Sequence, residues 1–183
     1  KYRYPLSQIT VFEPSSANFE ILKKNVEMNN LKNVHLVNAA TGKEKGTMRF
    51  WDNAKKPGAA TTVEEVYATK VKQNFVEVSV PSVKLSDYIT EKVDLLKMDI
   101  EGGEGVVIEE LEKSGKLSLI QEMVFEYHHN RKNHDNDFLQ LLSTLERNHF
   151  QYVIFGNEFA LSSEKLKTWN GYHFMIRAYQ TTK

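Results

Sequence analysis

Short apolar runs alternate along the chain with segments whose apolar residues recur every three or four positions. Residues 8–12 form a β-branched and aromatic run, and Ser15 and Ser16, which follow it, are residue types that can cap a helix. Apolar residues then follow helical spacing over residues 19–26, and residues 34–38 form a second apolar run. This opening segment therefore predicts a β-α-β unit.

Two segments in the middle of the chain alternate apolar with polar side chains. Residues 47–51 and residues 75–81 show this pattern, which is typical of strands with one exposed face. Residues 52–74 between them are rich in Ala, Lys, Thr and Glu and have little apolar periodicity. We expect a long loop there, of the kind that is usually functional or mobile.

The second half of the chain continues the alternation of strands and helices. Residues 93–100 are mostly apolar, which predicts a strand covered on both faces. The other elements predicted there are a strand over residues 119–125, an amphipathic helix over 138–145, and strands over 150–155 and 172–179. Such a sequence is typical of an α/β fold with a mostly parallel sheet and helices on both faces, although the direction of the last strand stays open.

The composition narrows the class of protein. A chain of 183 residues has room for one globular domain, and 24 Lys and Arg against 24 Asp and Glu give a formal net charge of zero. We therefore expect no nucleic-acid partner, and no apolar run approaches the roughly 18 residues that a membrane helix needs. The absence of cysteine excludes disulfides, thiolate zinc sites and a cysteine nucleophile.

The first residues carry no recognisable targeting signal. Residues 1–5 contain no Met, and no apolar run of the kind found in a signal peptide follows them. We expect a cytoplasmic protein whose polypeptide begins upstream of residue 1, and the oligomeric state is left open.

Residues that follow the predicted strands are the candidates for ligand binding. In an open parallel sheet, ligands bind outside the carboxyl ends of the strands. The residues that follow the predicted strands here are Glu13, residues 38–40, residues 99–104 and residues 126–128. A carboxylate at the end of a strand can accept hydrogen bonds from both ribose hydroxyls, so Glu13 fits that role. The same carboxylate would also be favourable merely near a helix start, by about 0.3–1 kcal/mol, and spacing leaves both interpretations open.

The acidic turn after the mostly apolar run matches a dinucleotide-binding loop only in part. Gly103, Glu104 and Gly105 resemble the beginning of G-x-G-x-x-G, but Ile108 stands where the third glycine belongs. Carboxylates at Glu104 and Glu101 would repel a pyrophosphate, so we reject a phosphate loop at this turn.

The same turn offers other chemistry. Asp99, Glu101 and Glu104 form a cluster of carboxylates that suits a cationic ligand, a divalent metal or a proton-transfer site. A solvated acidic turn is the alternative.

Histidines follow the strand predicted at residues 119–125. His129 and His134 are separated by a polar segment without helical periodicity, which disfavours zinc ligation with Glu126, and we predict no metal site. His128 lies directly after the strand and is interpreted as a general base or hydrogen-bonding residue, because imidazole titrates near neutral pH. A structural histidine is the alternative.

Many of these candidates lie in segments that together resemble one known family. The most specific segment is the twelve-residue run VDLLKMDIEGGE at residues 93–104. The other matching positions are residues 11–14, Phe19, Leu22, Asn25, Asn30, Asn33, Val34, Ala39, Ala40 and residues 125–128. In these features the chain resembles the FkbM family of S-adenosylmethionine-dependent methyltransferases.

The resemblance implies a Rossmann-like class I methyltransferase sheet with an antiparallel last strand. It also implies methylation of hydroxyl oxygens on sugars or small metabolites, with S-adenosylmethionine as cofactor, and it assigns Glu13 to the ribose hydroxyls.

The other site residues are assigned with the resemblance and the strand ends taken together. Ala39, Ala40, Asp99 and Glu101 join the cofactor site, with Asp99 and Glu101 beside the sulfonium or the acceptor. His128 is the predicted base, Glu126 orients it or replaces it, and Asp99 completes the catalytic set. We expect acceptor contacts from the loop over residues 52–74.

The chain departs from the family in one respect. The family's first strand and glycine-rich loop, which hold the methionine end of the cofactor, should precede residues 8–12 and lie between that strand and the one at residues 93–100. We therefore expect residues 1–183 to be a single methyltransferase domain that lacks this part.

Two other functions stay open. A truncated domain could keep the fold for protein interaction without catalysis. A nicotinamide-dependent oxidoreductase would use the same ribose carboxylate but needs the phosphate loop that Glu104 disfavours.

Overall fold

The computed structural model describes residues 3–53, 75–130, 137–156 and 171–181. The strands are β1 (Ile9–Phe12), β2 (Val34–Val37), β3 (Ala40–Thr41), β4 (Gly46–Asn53), β5 (Phe75–Val83), β6 (Val93–Met98), β7 (Ile120–Asn130), β8 (Phe150–Gly156) and β9 (Gly171–Gln180). The α-helices are α1 (Ser16–Met28), α2 (Glu104–Lys113) and α3 (Phe138–Arg147), with 3₁₀ turns at Leu85–Tyr88 and Lys116–Leu119. None of the described helices is long and apolar enough to cross a membrane.

The first part of the chain forms the predicted β-α-β unit. β1 and β2 pair in parallel, with Ile9 opposite Val34 and Phe12 opposite Val37. Ser15 caps α1 between them, because its side chain accepts a hydrogen bond from the backbone N–H of Asn18. The unit brings the carboxyl ends of β1 and β2 to the same edge.

A three-stranded sheet follows, in the order β3-β5-β4. β4 pairs antiparallel with β5 over its whole length, and Asp52 and Asn53 are its last residues. The expected loop therefore begins later than predicted, because ladder pairing with Val76 and Phe75 extends the strand. Residues 54–74 of that loop lie outside the described part of the chain.

The second half forms a four-stranded sheet in the order β6-β7-β9-β8. β6 and β7 are parallel, whereas β9 runs antiparallel to both β7 and β8 between which it lies. The α/β fold class and the antiparallel last strand are thus confirmed.

Helices α2 and α3 pack on one face of this sheet and form the main core with it. The largest fully buried side chains of the core include Ile108 and Leu111 from α2, Leu145 from α3, and Phe125 and Ile176 from the sheet. Burying a large apolar side chain of this kind stabilises the fold by about 1.5–3 kcal/mol.

The opposite face of β6 is not covered by the described residues, contrary to prediction. Met98 faces the core and is buried, but Leu95, on the other face, is 56% exposed. β6 is also the edge strand of its sheet, and β1 is an edge strand of the two-stranded sheet. Phe12 at the end of β1 packs against the main core, so the ends of β1 and β6 come near each other without pairing in the described structure.

Candidate active site

A cavity of about 270 Å³ lies at the carboxyl ends of β1, β2 and β6. Five of the residues predicted from the sequence to form a site line it, namely Glu13, Ala39, Ala40, Asp99 and Glu101. They converge because parallel strands end at a common edge, as expected for ligand sites in open α/β sheets.

Glu13 faces this cavity and also contacts the start of α1. The backbone N–H of Ser15 donates a hydrogen bond of 2.8 Å to Oε1 of Glu13. Burial raises the pKa of Glu13; hydrogen bonds from Ser15 and Asn18 lower it in part, and the charge of Asp52 raises it further. The contact expected at a helix start is therefore present, and the ribose contact remains a prediction.

The ends of β1 and β2 are tied together beside Glu13. The side chain of Asn38 donates a hydrogen bond of 2.7 Å to the backbone carbonyl of Glu13. Ala39 and Ala40 follow and are both buried, so their small side chains leave the cavity open.

The acidic turn after β6 adopts left-handed backbone conformations. Glu101 has φ of 56° and Gly102 has φ of 108°. For Glu101 this is an uncommon conformation of the kind that clusters at functional sites. The turn aims the N–H of Gly102 at Oε1 of Glu104, which accepts a hydrogen bond of 3.1 Å.

Glu104 is fully buried and contacts His128. Oε1 of Glu104 lies 3.0 Å from Nδ1 of His128, and Oε2 lies 3.5 Å from the backbone N–H of the same residue. The alternative of a solvated acidic turn therefore does not hold for Glu104. The carboxylate points inward because it occupies the first position of the buried stripe of α2.

The predicted carboxylate partner of His128 was Glu126, which lies farther away. Nε2 of His128 is 3.6 Å from Oε2 of Glu101 and 3.9 Å from Oε1 of Glu126. Glu104 lies closer to the imidazole than either of these carboxylates, and it contacts the opposite ring nitrogen.

The pKa of His128 is raised by the carboxylates around its imidazole. Burial by itself lowers the pKa of His128, but the hydrogen bond and charge of Glu104, with the charges of Glu101 and Glu126, outweigh burial. The pKa therefore lies above the ordinary value for histidine.

His128 lies within β7 and not at its end. β7 continues to Asn130 because β9 extends the antiparallel ladder, with His128 opposite His173. Neither His128 nor Glu126 lines the cavity itself. Glu101 does line the cavity, and its carboxylate lies 3.6 Å from Nε2 of His128 and thus links His128 to it.

Three side chains of types that can ligate a metal also lie close together beside the acidic turn. One ligand atom each from Asp99, Glu101 and His128 lies within 4.8 Å of the others, a mixed set that could hold a divalent metal. Nζ of Lys97 lies 3.6 Å from Oδ2 of Asp99 and competes for that carboxylate. His134 and the side chain of His129 lie outside the described residues.

The sequence contained a signal for the role of Glu104. Glu104, Val107, Ile108 and Leu111 are spaced i, i+3, i+4, i+7, and all four are buried. A glutamate on an apolar stripe requires a buried partner. Phe50, from β4, also lines the cavity and had no comparable signal.

Comparison with known proteins identifies related sequences. A family model described as the Methyltransferase FkbM domain matches residues 4–152. Methyltransferase 1 of Beauveria bassiana (strain ARSEF 2860) is 30% identical in an alignment of 143 residues that covers 69% of this chain and 57% of that protein. Methyltransferase sdnD of Sordaria araneosa is 26% identical in an alignment of 154 residues that covers 69% of this chain and 59% of that protein. The chain thus spans less than two thirds of each relative.

Two solved structures share the fold. Methyltransferase FkbM from Methylobacillus flagellatus KT superimposes with a TM-score of 0.54 at 13% identity, over 94% of this chain and 36% of that one. SMU.1697c from Streptococcus mutans, solved in complex with SAH, gives a TM-score of 0.53 at 11% identity, over 95% of this chain and 76% of that one.

Proposed function

Because the chain belongs to the FkbM methyltransferase family, we propose that it forms part of an S-adenosylmethionine-dependent O-methyltransferase. The acceptor in this proposal is a hydroxyl group of a sugar or small metabolite. The observation that carries the proposal is the convergence of Glu13, Ala39, Ala40, Asp99 and Glu101 on one cavity.

The cofactor would occupy this cavity with its ribose at Glu13. Glu13 lies directly after β1, where a carboxylate can accept hydrogen bonds from ribose hydroxyls. Ala39 and Ala40 leave space beside it, and Asp99 and Glu101 provide negative charge for the sulfonium. The bound SAH of SMU.1697c, which has the same fold, supports this choice of cofactor.

The proposed reaction is an in-line displacement. Bound S-adenosylmethionine would supply the methyl group to the acceptor oxygen, the new carbon–oxygen bond replacing the carbon–sulfur bond and the sulfur leaving as a neutral thioether. The hydroxyl proton passes to Nε2 of His128, which lies 3.6 Å from Glu101 at the cavity. Asp99 and Glu126 are the other carboxylates near His128 in this proposal. Most of the increase in the methyl-transfer rate would come from holding the reacting atoms about 3–3.5 Å apart.

We also propose that a strand and a glycine-rich loop outside these residues complete the domain. β1 and β6 are edge strands whose ends approach the same cavity, and Leu95 of β6 is exposed. A further parallel strand between them would pair with both edges.

Calorimetric titration tests the function. A protein extended upstream of residue 1 is titrated with S-adenosylmethionine, S-adenosylhomocysteine and NAD. We expect binding of the first two and none of NAD. Binding of NAD alone would favour an oxidoreductase, and binding of none of them would favour an interaction domain and contradict the proposal.

Methyl transfer tests the role of the base. His128→Ala is expected to lower the rate by about 10²–10⁴-fold with little change in cofactor affinity, because a positioned base contributes that much. A full rate in His128→Ala with a lost rate in Asp99→Asn or Glu126→Gln would make a carboxylate the base.

A further inference from the structure

We infer that Glu104 is a positioning residue, which holds His128 through Nδ1 and thereby directs Nε2 toward the acceptor. This inference rests on the proposed role of His128 as the base. Glu104 does not line the cavity and touches neither cofactor nor acceptor in the proposed arrangement.

The first step of the argument is the fixed position of the Glu104 carboxylate. The side chain is fully buried, where a charge is costly unless it is paired and hydrogen-bonded. Gly102 donates to Oε1 at 3.1 Å, and the backbone N–H of His128 approaches Oε2 at 3.5 Å. Glu104 also opens α2, where the helix dipole favours negative charge.

The second step is the tautomer of His128. A carboxylate that already accepts N–H bonds acts as an acceptor, so Nδ1, 3.0 Å from Oε1 of Glu104, carries the proton. In the neutral imidazole, Nε2 is then the basic nitrogen. Nε2 lies on the side of Glu101, which lines the cavity.

The third step concerns the other groups that face the imidazole. Among the described residues these are Glu104 from α2, Asp99 and Glu101 from the turn after β6, and Glu126 from β7. Burial and the charge of Glu104 raise the pKa of Tyr127 above its ordinary value, so its phenol adds no charge beside the imidazole near neutral pH. Glu104 contacts Nδ1, whereas Glu101 and Glu126 lie near Nε2, so removal of Glu104 affects the tautomer differently from removal of Glu101 or Glu126.

The chain offers a matched control in Glu110. It is a second buried glutamate of α2, and it contacts Ser86 and Lys84, not His128. Glu110→Gln therefore removes a buried carboxylate from the same helix and leaves the imidazole contacts in place.

Nitrogen-15 NMR of the histidine rings tests the inference without requiring activity. The upstream-extended protein is measured with EDTA present, and the signals of His128 are assigned from His128→Gln. We expect one tautomer, protonated at Nδ1, in the unmodified protein. Glu104→Gln should give a mixed or reversed tautomer and a lower pKa for His128, whereas Glu110→Gln should change neither.

Kinetics provide the second measurement. We expect Glu104→Gln to lower kcat by about tenfold to a hundredfold, the loss typical when the partner that orients a functional histidine is removed. The KM for S-adenosylmethionine should stay nearly unchanged, and the rising limb of the pH profile should move to lower pH.

The outcomes separate this inference from the proposed function. The inference would be overturned if His128 of the unmodified protein is protonated at Nε2, a result that does not depend on the stability of any variant. It would also be overturned if Glu104→Gln leaves the tautomer and the titration of His128 unchanged. A full rate in His128→Ala would instead remove the proposed base while the NMR result still reports on Glu104 and His128.

Discussion

Glu13 lies just before α1, and Glu104 is the first residue of α2. The two carboxylates differ in burial, and this difference determines what each of them can contact. Glu13 is partly exposed, contacts the backbone of Ser15 and faces the cavity. Glu104 is fully buried and contacts His128. A carboxylate of the first kind is available to a ligand, whereas one of the second kind acts through its protein partner.

Glu13→Ala in the upstream-extended protein is expected to weaken S-adenosylmethionine binding by about tenfold to a hundredfold. Charge-assisted hydrogen bonds to the ribose contribute about 1.5–3 kcal/mol. Calorimetry measures the affinity, and urea unfolding checks the fold. Glu13→Gln is the control: because burial raises the pKa of Glu13, removing its charge should not destabilise the protein at neutral pH. Unchanged affinity in both variants would leave Glu13 with its role at the helix start alone.

The raised pKa of His128 makes its contribution to stability dependent on pH. A group whose pKa is higher in the folded state stabilises the fold fully below its unfolded value of about 6.5, and this stabilisation is lost as pH rises through the folded pKa. The free energy of unfolding, measured in urea, should therefore exceed that of His128→Gln by more at pH 5.5 than at pH 8.5. A difference independent of pH would contradict the charged contact with Glu104, Glu101 and Glu126.

At the scale of elements, α2 is held by two buried glutamates at different points. Glu104 fixes its beginning against β7, and Glu110 fixes its middle against the 3₁₀ turn at Leu85–Tyr88. Both oxygens of Glu110 accept hydrogen bonds from Ser86, one from the hydroxyl and one from the backbone N–H. The helix that forms one side of the core is thereby held in place along its length.

Glu110→Ala is expected to lower the free energy of unfolding by about 1–3 kcal/mol, because it leaves the buried donors of Ser86 without their acceptor. Glu109→Ala is the matched control, since Glu109 forms an ion pair with Lys113 at the surface of the same helix, worth about 0–1 kcal/mol. Denaturant unfolding measures both variants. Equal losses would show that the contact with Ser86 contributes nothing specific.

At the scale of the whole molecule, the described residues form three sheets and not one. The edges at β1 and β6 bound the region that the proposed additional strand would occupy. The apolar Leu95 is exposed on β6, although its strand has the composition of a covered one.

Hydrogen exchange tests this proposal. Backbone amides of β6 should exchange more slowly in an upstream-extended protein than in the chain of residues 1–183, because the edge becomes paired. Amides of β8, the other edge of the same sheet, are the internal control and should change little. Equal exchange in β6 of both proteins would contradict an added strand, and micromolar binding of S-adenosylmethionine by residues 1–183 would show that it is not needed for the cofactor.

Local patterns were sufficient to predict most of the elements in their order, although not the short strand β3 or the full length of β7. Hydrophobic period and capping residues are properties of neighbouring positions, so the β-α-β unit and the acidic turn could be read from the chain. The extension of β7 past His128 could not, because it depends on pairing with β9. The family resemblance predicted that the last strand is antiparallel, whereas the hydrophobic periodicity left the direction of that strand open.

Only the tertiary structure decided which of these residues act together. Glu104 and His128 are 24 positions apart in the sequence, and their contact depends on the register of β6 against β7 and on how α2 packs over both. The exposure of Leu95 likewise depends on which elements pack against β6, which its own apolar sequence does not specify. Such contacts arise from long-range packing, and a periodic pattern records which side chains are buried but not the partners that they meet.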